Sequence, residues 1–129
     1  MSEILKSEIT AERYISKEFM QKEMETVWSK AWLFAGFTQD VREPGDFFLF
    51  ELEKESIIIS RTEQKELKAF YNVCQHRGAR LLNVESGVME KYSCPYHGWR
   101  YRNDGKLDKV PNEDLFEGGV NCDEYSLKE

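Results

Sequence analysis

The chain has 129 residues, 40% of them hydrophobic and 13% aromatic, enough to bury one core but hardly two. Its formal net charge is −6 at pH 7, and residues 112–129 carry six acids against one lysine, which disfavours binding to nucleic acid. Three well-separated cysteines make no secreted disulfide scaffold, Met1–Thr10 has no apolar stretch of signal-peptide length, and the longest apolar run, Ala31–Phe37, is too short for a membrane span, so a soluble cytoplasmic chain is the default expectation.

Ser16 is a candidate N-cap, and behind it Met20, Met24, Val27, Trp28 and Ala31 recur at helical spacing, with Glu18 and Lys22 as an i,i+4 pair. The pattern predicts an amphipathic helix over Lys17–Ser29 whose methionine and aromatic stripe faces a core. Short strands between turn signals come next: Leu33–Phe37, Asp46–Leu52, Ser56–Arg61, Leu67–Asn72, Val88–Ser93 after a turn at Ser86-Gly87, and Trp99–Arg102. Asn103-Asp104-Gly105 predicts a hairpin returning through Lys106–Val110. The expected fold is mainly β, with small stacked antiparallel sheets and an N-terminal helix. Residues 1–30 read as a leader and residues 31–129 as one structural unit, with no internal repeat or low-complexity linker.

The chemistry-bearing residues lie in two short segments. Cys74-Gln75-His76 and Cys94-Pro95-Tyr96-His97 each offer one thiolate and one imidazole, and together they hold both histidines of the chain. Gly78 stands two residues after His76 and Gly98 directly follows His97, so the backbone can turn tightly and aim N–H groups at sulfur. The intervening residues 77–93 suffice to leave one loop and return alongside it. Two cysteines on one iron and two histidines on the other form the ligand set that separates Rieske 2Fe-2S centres from four-cysteine ferredoxins. Exchanging two thiolates for neutral imidazoles removes two negative charges, so the cluster accepts an electron more easily. A tetrahedral zinc site is the competing metal reading, disfavoured because its ligands normally come as like pairs at short, regular spacing. Unconnected core thiols and imidazoles are the second alternative. The placing of both histidines two or three residues after a cysteine speaks against it.

The segments Cys74-Gln75-His76-Arg77-Gly78-Ala79-Arg80-Leu81 and Cys94-Pro95-Tyr96-His97-Gly98-Trp99-Arg100-Tyr101, followed by Asp104-Gly105-Lys106-Leu107 and Val110-Pro111, resemble the Rieske domain of ring-hydroxylating oxygenase alpha subunits. The likeness runs from Phe19 through Trp28, Trp32 and the Pro44-Gly45-Asp46 turn to the end of the chain. It implies that Cys74 and Cys94 hold the inner iron of a 2Fe-2S cluster, while His76 and His97 hold the outer iron and form the electron portal. Arg77, Gly78, Tyr96, Gly98 and Trp99 are then expected to position the ligands or to contact an adjacent subunit. Ala79 and Tyr96 stand where the respiratory branch carries an extra pair of cysteines, and Trp99 stands where it carries a serine bonded to a cluster sulfur. Fewer hydrogen bonds to sulfur imply a potential toward the lower end of the Rieske range, roughly −150 to +300 mV. Cys122 is left as a free thiol.

The resemblance also implies partners. A reductase or ferredoxin would donate electrons, and an oxygenase catalytic domain or adjacent alpha subunit would receive them at a mononuclear iron held by two histidines and a carboxylate. His76 and His97 are the chain's only histidines, so by itself it is not expected to hydroxylate a substrate. The alternative is a stand-alone Rieske ferredoxin, although such carriers generally lack the helical leader with Trp28 and Trp32 and the Tyr96 and Trp99 pair. Arg77, Arg80, Lys91, Arg100, Arg102, Lys106 and Lys109 outnumber the acids between Cys74 and Val110. They suit an acidic electron donor, and an ordinary solvated face accounts for them equally well. The resemblance also implies that the substrate pocket of a parent oxygenase belongs to the catalytic domain.

Overall fold

Ser16 caps a helix, as its position before the methionine stripe predicts: its hydroxyl accepts the Phe19 N–H at 3.1 Å. The computed structural model describes residues 9–129, which divide into one unit ending at Ala35 and a second from Gly36 to Glu129. In the first, α1 (Glu12–Ile15) is separated from α2 (Lys17–Glu23) by the extended backbone of Ser16, ψ 119°. A π-helical turn over Met24–Trp28 continues α2. Within it the Thr26 hydroxyl donates to the Lys22 carbonyl at 2.6 Å, and the Ser29 hydroxyl donates to the Glu25 carbonyl at 3.3 Å. Hydroxyls bonded back to helical carbonyls compete with the α ladder, so the predicted single helix becomes a short helix and a wide turn.

No residue of these helical segments is buried, contrary to the expected core-facing stripe. Met20, Val27 and Trp28 are exposed. Two helices of four and seven residues offer too little apolar surface to enclose a side chain between them. Among the described residues no helix is long and apolar enough to cross a membrane.

The second unit is built from two antiparallel sheets. Strands β1 (Asp46–Leu52), β2 (Glu55–Arg61), β3 (Leu67–Tyr71) and β4 (Ser86–Val88) lie in the order β3-β2-β1-β4. Strands β5 (Lys91–Ser93), β6 (Arg100–Arg102) and β7 (Leu107–Lys109) form the smaller sheet in chain order. Along β2 the residues Ser56, Ile58 and Ser60 alternate inward, the period-2 pattern of a half-buried strand. Ser60 ties the sheets together by accepting the Tyr92 hydroxyl at 2.8 Å. Phe47, Ile58 and Phe70 from the large sheet meet Tyr92, Tyr101, Leu107 and Val110 in one core. The C-terminal segment seals it: Leu127 is buried, its N–H donates to the Gly105 carbonyl at 2.8 Å, and the Tyr71 N–H donates to the Lys128 carbonyl at 3.0 Å.

Three sequence expectations are corrected. Leu33–Phe37 forms no strand; the Asp40 carboxylate accepts the Phe37 N–H at 2.8 Å and begins a 3-10 turn, Thr38–Asp40. Ser86-Gly87 lies within β4, opposite Phe48 and Phe47, instead of making a turn. The run Val88–Ser93 is divided between two sheets, because Met89 and Glu90 bend to meet other partners. The Met89 N–H donates to the Gly45 carbonyl at 2.8 Å, and the Glu90 carbonyl accepts the Asn103 N–H at 3.0 Å. The hairpin at Asn103-Asp104-Gly105 forms as expected, with the Gly105 N–H donating to the Arg102 carbonyl at 3.0 Å.

Candidate metal centre

The two cysteine loops are copies of one backbone design, displaced by twenty residues. The Gly78 N–H donates to the Cys74 carbonyl at 2.9 Å, and the Cys74 N–H donates to the Ala79 carbonyl at 2.8 Å. Twenty residues on, the Gly98 N–H donates to the Cys94 carbonyl at 3.0 Å and the Cys94 N–H to the Trp99 carbonyl at 2.8 Å. Gly78 and Gly98 both have φ +71°, the left-handed region where a side chain would be strained. The sequence shows the relation as Cys-x-x-x-Gly-x-Arg occurring twice, a short local repeat that corrects the expectation of no internal repeat. In this register His76 matches Tyr96 and His97 matches Arg77, so the two imidazoles leave the shared scaffold one position apart.

Cys74 and Cys94 are buried between the sheets. Burial pushes the Cys74 thiol up; the Tyr101 hydroxyl and the His76 backbone pull it down, and the adjacent Cys94 raises it again. A thiol raised in this way in a dry site keeps its proton until a metal replaces it. On the outer side, the rings of His76 and His97 lie 4.9 Å apart between centroids, inclined at 69°. Burial, then His97 and Arg77, hold the His76 imidazole below its ordinary range, favouring the neutral form that binds metal.

Aromatic rings fix the imidazoles differently. Trp99, buried at 3% exposure, stacks on His76 at 4.7 Å with 4° between the planes, and Phe116 and Tyr125 meet its indole edge-on at 6.3 and 5.6 Å. Tyr96 is exposed and leans on His97, with 4.0 Å between centroids. Arg77 is exposed at the same end. The sequence reading missed Tyr101. Its hydroxyl lies 3.3 Å from Cys74 Sγ and accepts the Gln75 N–H at 3.1 Å, supplying a contact to sulfur that the comparison at Trp99 did not count. A buried tyrosine on a strand reads as core, and only the fold of β6 across the first loop reveals its second task.

Four residues of the basic surround are engaged by carboxylates. Arg80 pairs with Glu51, Lys91 and Arg100 share Asp108 at 3.0 and 2.6 Å, and Arg102 pairs with Asp104 at 2.8 Å. Those four residues thus behave as an ordinary paired surface. Cys122 is exposed and well apart in sequence from both loops.

Among the described residues no three His, Cys, Asp or Glu side chains gather on one metal position. The thiols approach each other and the imidazoles approach each other, a two-plus-two donor set that fits a centre of two metals better than a single tetrahedral ion.

Comparison with known proteins agrees with that donor set. The Rieske [2Fe-2S] domain family model matches residues 31–121. The large oxygenase component of the naphthalene 1,2-dioxygenase system of Pseudomonas putida is 36% identical over 114 residues, covering 88% of this chain and 25% of that protein. The glycine betaine monooxygenase oxygenase subunit of Pseudomonas aeruginosa is 34% identical over 116 residues, covering 90% and 25%. The crystal structure of naphthalene 1,2-dioxygenase from Rhodococcus sp. superposes with a TM-score of 0.82 at 30% identity, covering 86% of this chain and 26% of that one. The chain spans about a quarter of the length of these relatives. It belongs to the Rieske [2Fe-2S] domain family, the domain of a Rieske-type 2Fe-2S cluster, and matches the Rieske domain of ring-hydroxylating oxygenase alpha subunits.

Proposed function

We propose that Cys74 and Cys94 bind one iron of the cluster through thiolates, that His76 and His97 bind the other, and that the chain is the redox domain of an oxygenase. It would take single electrons from a reductase or ferredoxin and pass them to a mononuclear iron on a catalytic domain or adjacent subunit. The observation that carries this reading is the convergence of a buried thiol pair and a more exposed imidazole pair from two congruent loops. When bound, the cluster supplies reversible one-electron chemistry.

The chain's own residues do the rest. The inner thiols are buried in the same core as Leu81, Leu82 and Tyr101, and exclusion of water there lowers the local dielectric around the charged sulfur. Tyr101 O–H is placed to donate to Cys74 Sγ and stabilise negative charge there. Trp99 fixes the plane of His76, and Gly78 and Gly98 let the loop backbone turn without strain. His97 is exposed and stands beside exposed Tyr96, so it is the shortest route for an electron to or from a partner. A cytoplasmic setting, where such donors work, goes with this reading.

The test is the visible and electron-paramagnetic-resonance spectrum of the reduced chain with its iron and zinc content. Two irons per chain with a low average g value characteristic of mixed nitrogen and sulfur ligation is the expected result. Stoichiometric zinc, or a spectrum of all-sulfur ligation, overturns the assignment.

A further inference from the structure

The two congruent loops are closed at their bases by different means. The second is the tip of a hairpin, with Ser93 paired to Arg100, Tyr92 to Tyr101 and Lys91 to Arg102. The first has one backbone bridge, Val73 to Arg80, and then a long Leu81 N–H to Asn72 carbonyl contact of 3.4 Å. Beyond that point the side chain of Asn72 replaces the ladder. Its Oδ1 accepts the Leu82 N–H at 2.9 Å and its Nδ2 donates to the Leu82 carbonyl at 2.8 Å, so one amide makes both hydrogen bonds of a strand pair.

Asn72 is itself moored to the large sheet. Its Nδ2 also donates to Ser56 Oγ at 3.1 Å, and its N–H donates to the Ser56 carbonyl at 2.8 Å. The Ser56 hydroxyl donates to Glu51 Oε1 at 2.9 Å, Glu51 pairs with Arg80, and Arg80 Nε donates to the Leu82 carbonyl at 2.9 Å. Asn72 is 1% exposed and Leu82 5%, so water cannot stand in for these partners.

We propose that Asn72 is a positioning residue, whose amide closes the base of the first loop and so holds Cys74 and His76 in place for the metal centre. Closure of the loop is a property of the chain; only the consequence for the metal rests on the ligand assignment above. The two parts therefore fail separately.

The experiment is hydrogen exchange, read by mass spectrometry on the full chain as purified, for the wild type, Asn72→Ala and Ser56→Ala, with iron content measured in the same samples. In Asn72→Ala, exchange over residues 73–82 is expected to rise about tenfold, the size of one net buried hydrogen bond, while residues 93–100 stay within about twofold. Ser56→Ala, which removes one mooring and leaves the amide in place, is expected to give about a threefold rise in the same segment and serves if Asn72→Ala does not fold. Equal acceleration of both segments marks a loss of general stability and overturns the proposal, as does no acceleration in residues 73–82. Faster exchange in residues 73–82 with unchanged iron retention keeps the closing role and overturns the consequence for the metal.

Discussion

The sulfur side and the nitrogen side of the centre are made by the same two loops, yet they are opposite environments. Cys74 and Cys94 are buried at 1% and 4% exposure, with Tyr101 against the first of them. His97 is open to solvent and His76 only half covered, its ring held by Trp99. A loop that turns back on itself every four residues presents one side chain to the core and the next functional one outward, so a single short segment supplies both a dry anchor and an accessible contact. On the proposed ligand assignment, the difference gives the sulfur side control over assembly of the centre and the nitrogen side control over its potential and its exchange with partners.

The comparison breaks first if the sulfur side is dispensable. Cys74→Ser is expected to abolish cluster incorporation, with iron per chain falling by about tenfold because a hydroxyl is a poor substitute for a thiolate on iron. Iron analysis after purification checks this, and a retained cluster removes Cys74 from the ligand set. On the nitrogen side, His76→Cys adds a negative charge and is expected to lower the potential by roughly 100 mV or more, toward the four-thiolate range near −400 mV. Redox titration with the cluster intact measures it; an unchanged value contradicts the ligand role of His76.

A smaller effect sharpens the contrast between sides. Tyr101→Phe keeps the aromatic ring between the sheets and removes the hydroxyl beside Cys74, so the potential is expected to fall by a few tens of millivolts, about 1 kcal/mol for one electron. The same titration decides it, and a rise would contradict donation from the hydroxyl to sulfur. The smallest effect lies behind the loops, where Asp108 holds Arg100 as Glu51 holds Arg80. The Lys91 hydrogen bond, with Arg100 beside it, holds the Asp108 carboxyl below its ordinary value of 3.8. Its stabilising contribution is therefore complete above the unfolded value and lost as pH falls through the lowered folded one. Asp108→Asn is expected to flatten the stability profile below about pH 4 by well under 1 kcal/mol, since both cations are partly in water. Urea melts at stepped pH compare the two profiles; parallel curves would show that the pair carries no acid sensitivity.

The strands were legible wherever alternation and a turn residue coincided. Asp46–Leu52 is found with its predicted bounds, and Asn103-Asp104-Gly105 turns where expected. Leu33–Phe37 was misread because an apolar run carries no information about whether a neighbouring strand exists to pair with it. The division of Val88–Ser93 escaped for a related reason, as the bend at Met89 is imposed by Gly45 from a distant turn. The helical stripe looked like a core face, yet periodicity says which side of a helix is apolar and nothing about what covers it.

The amino-acid sequence by itself determined the two short segments that carry a thiol and an imidazole each, the glycines that let two loops turn, and the polar breaks that separate the strands, because these depend on residue chemistry and near neighbours. Tertiary structure alone decided that Tyr101 reaches Cys74, that Trp99 stacks on a histidine of the other loop, and that Asn72 closes the first loop against Leu82. Each of those contacts joins residues whose proximity follows from how two sheets are stacked, and no local pattern encodes that distance.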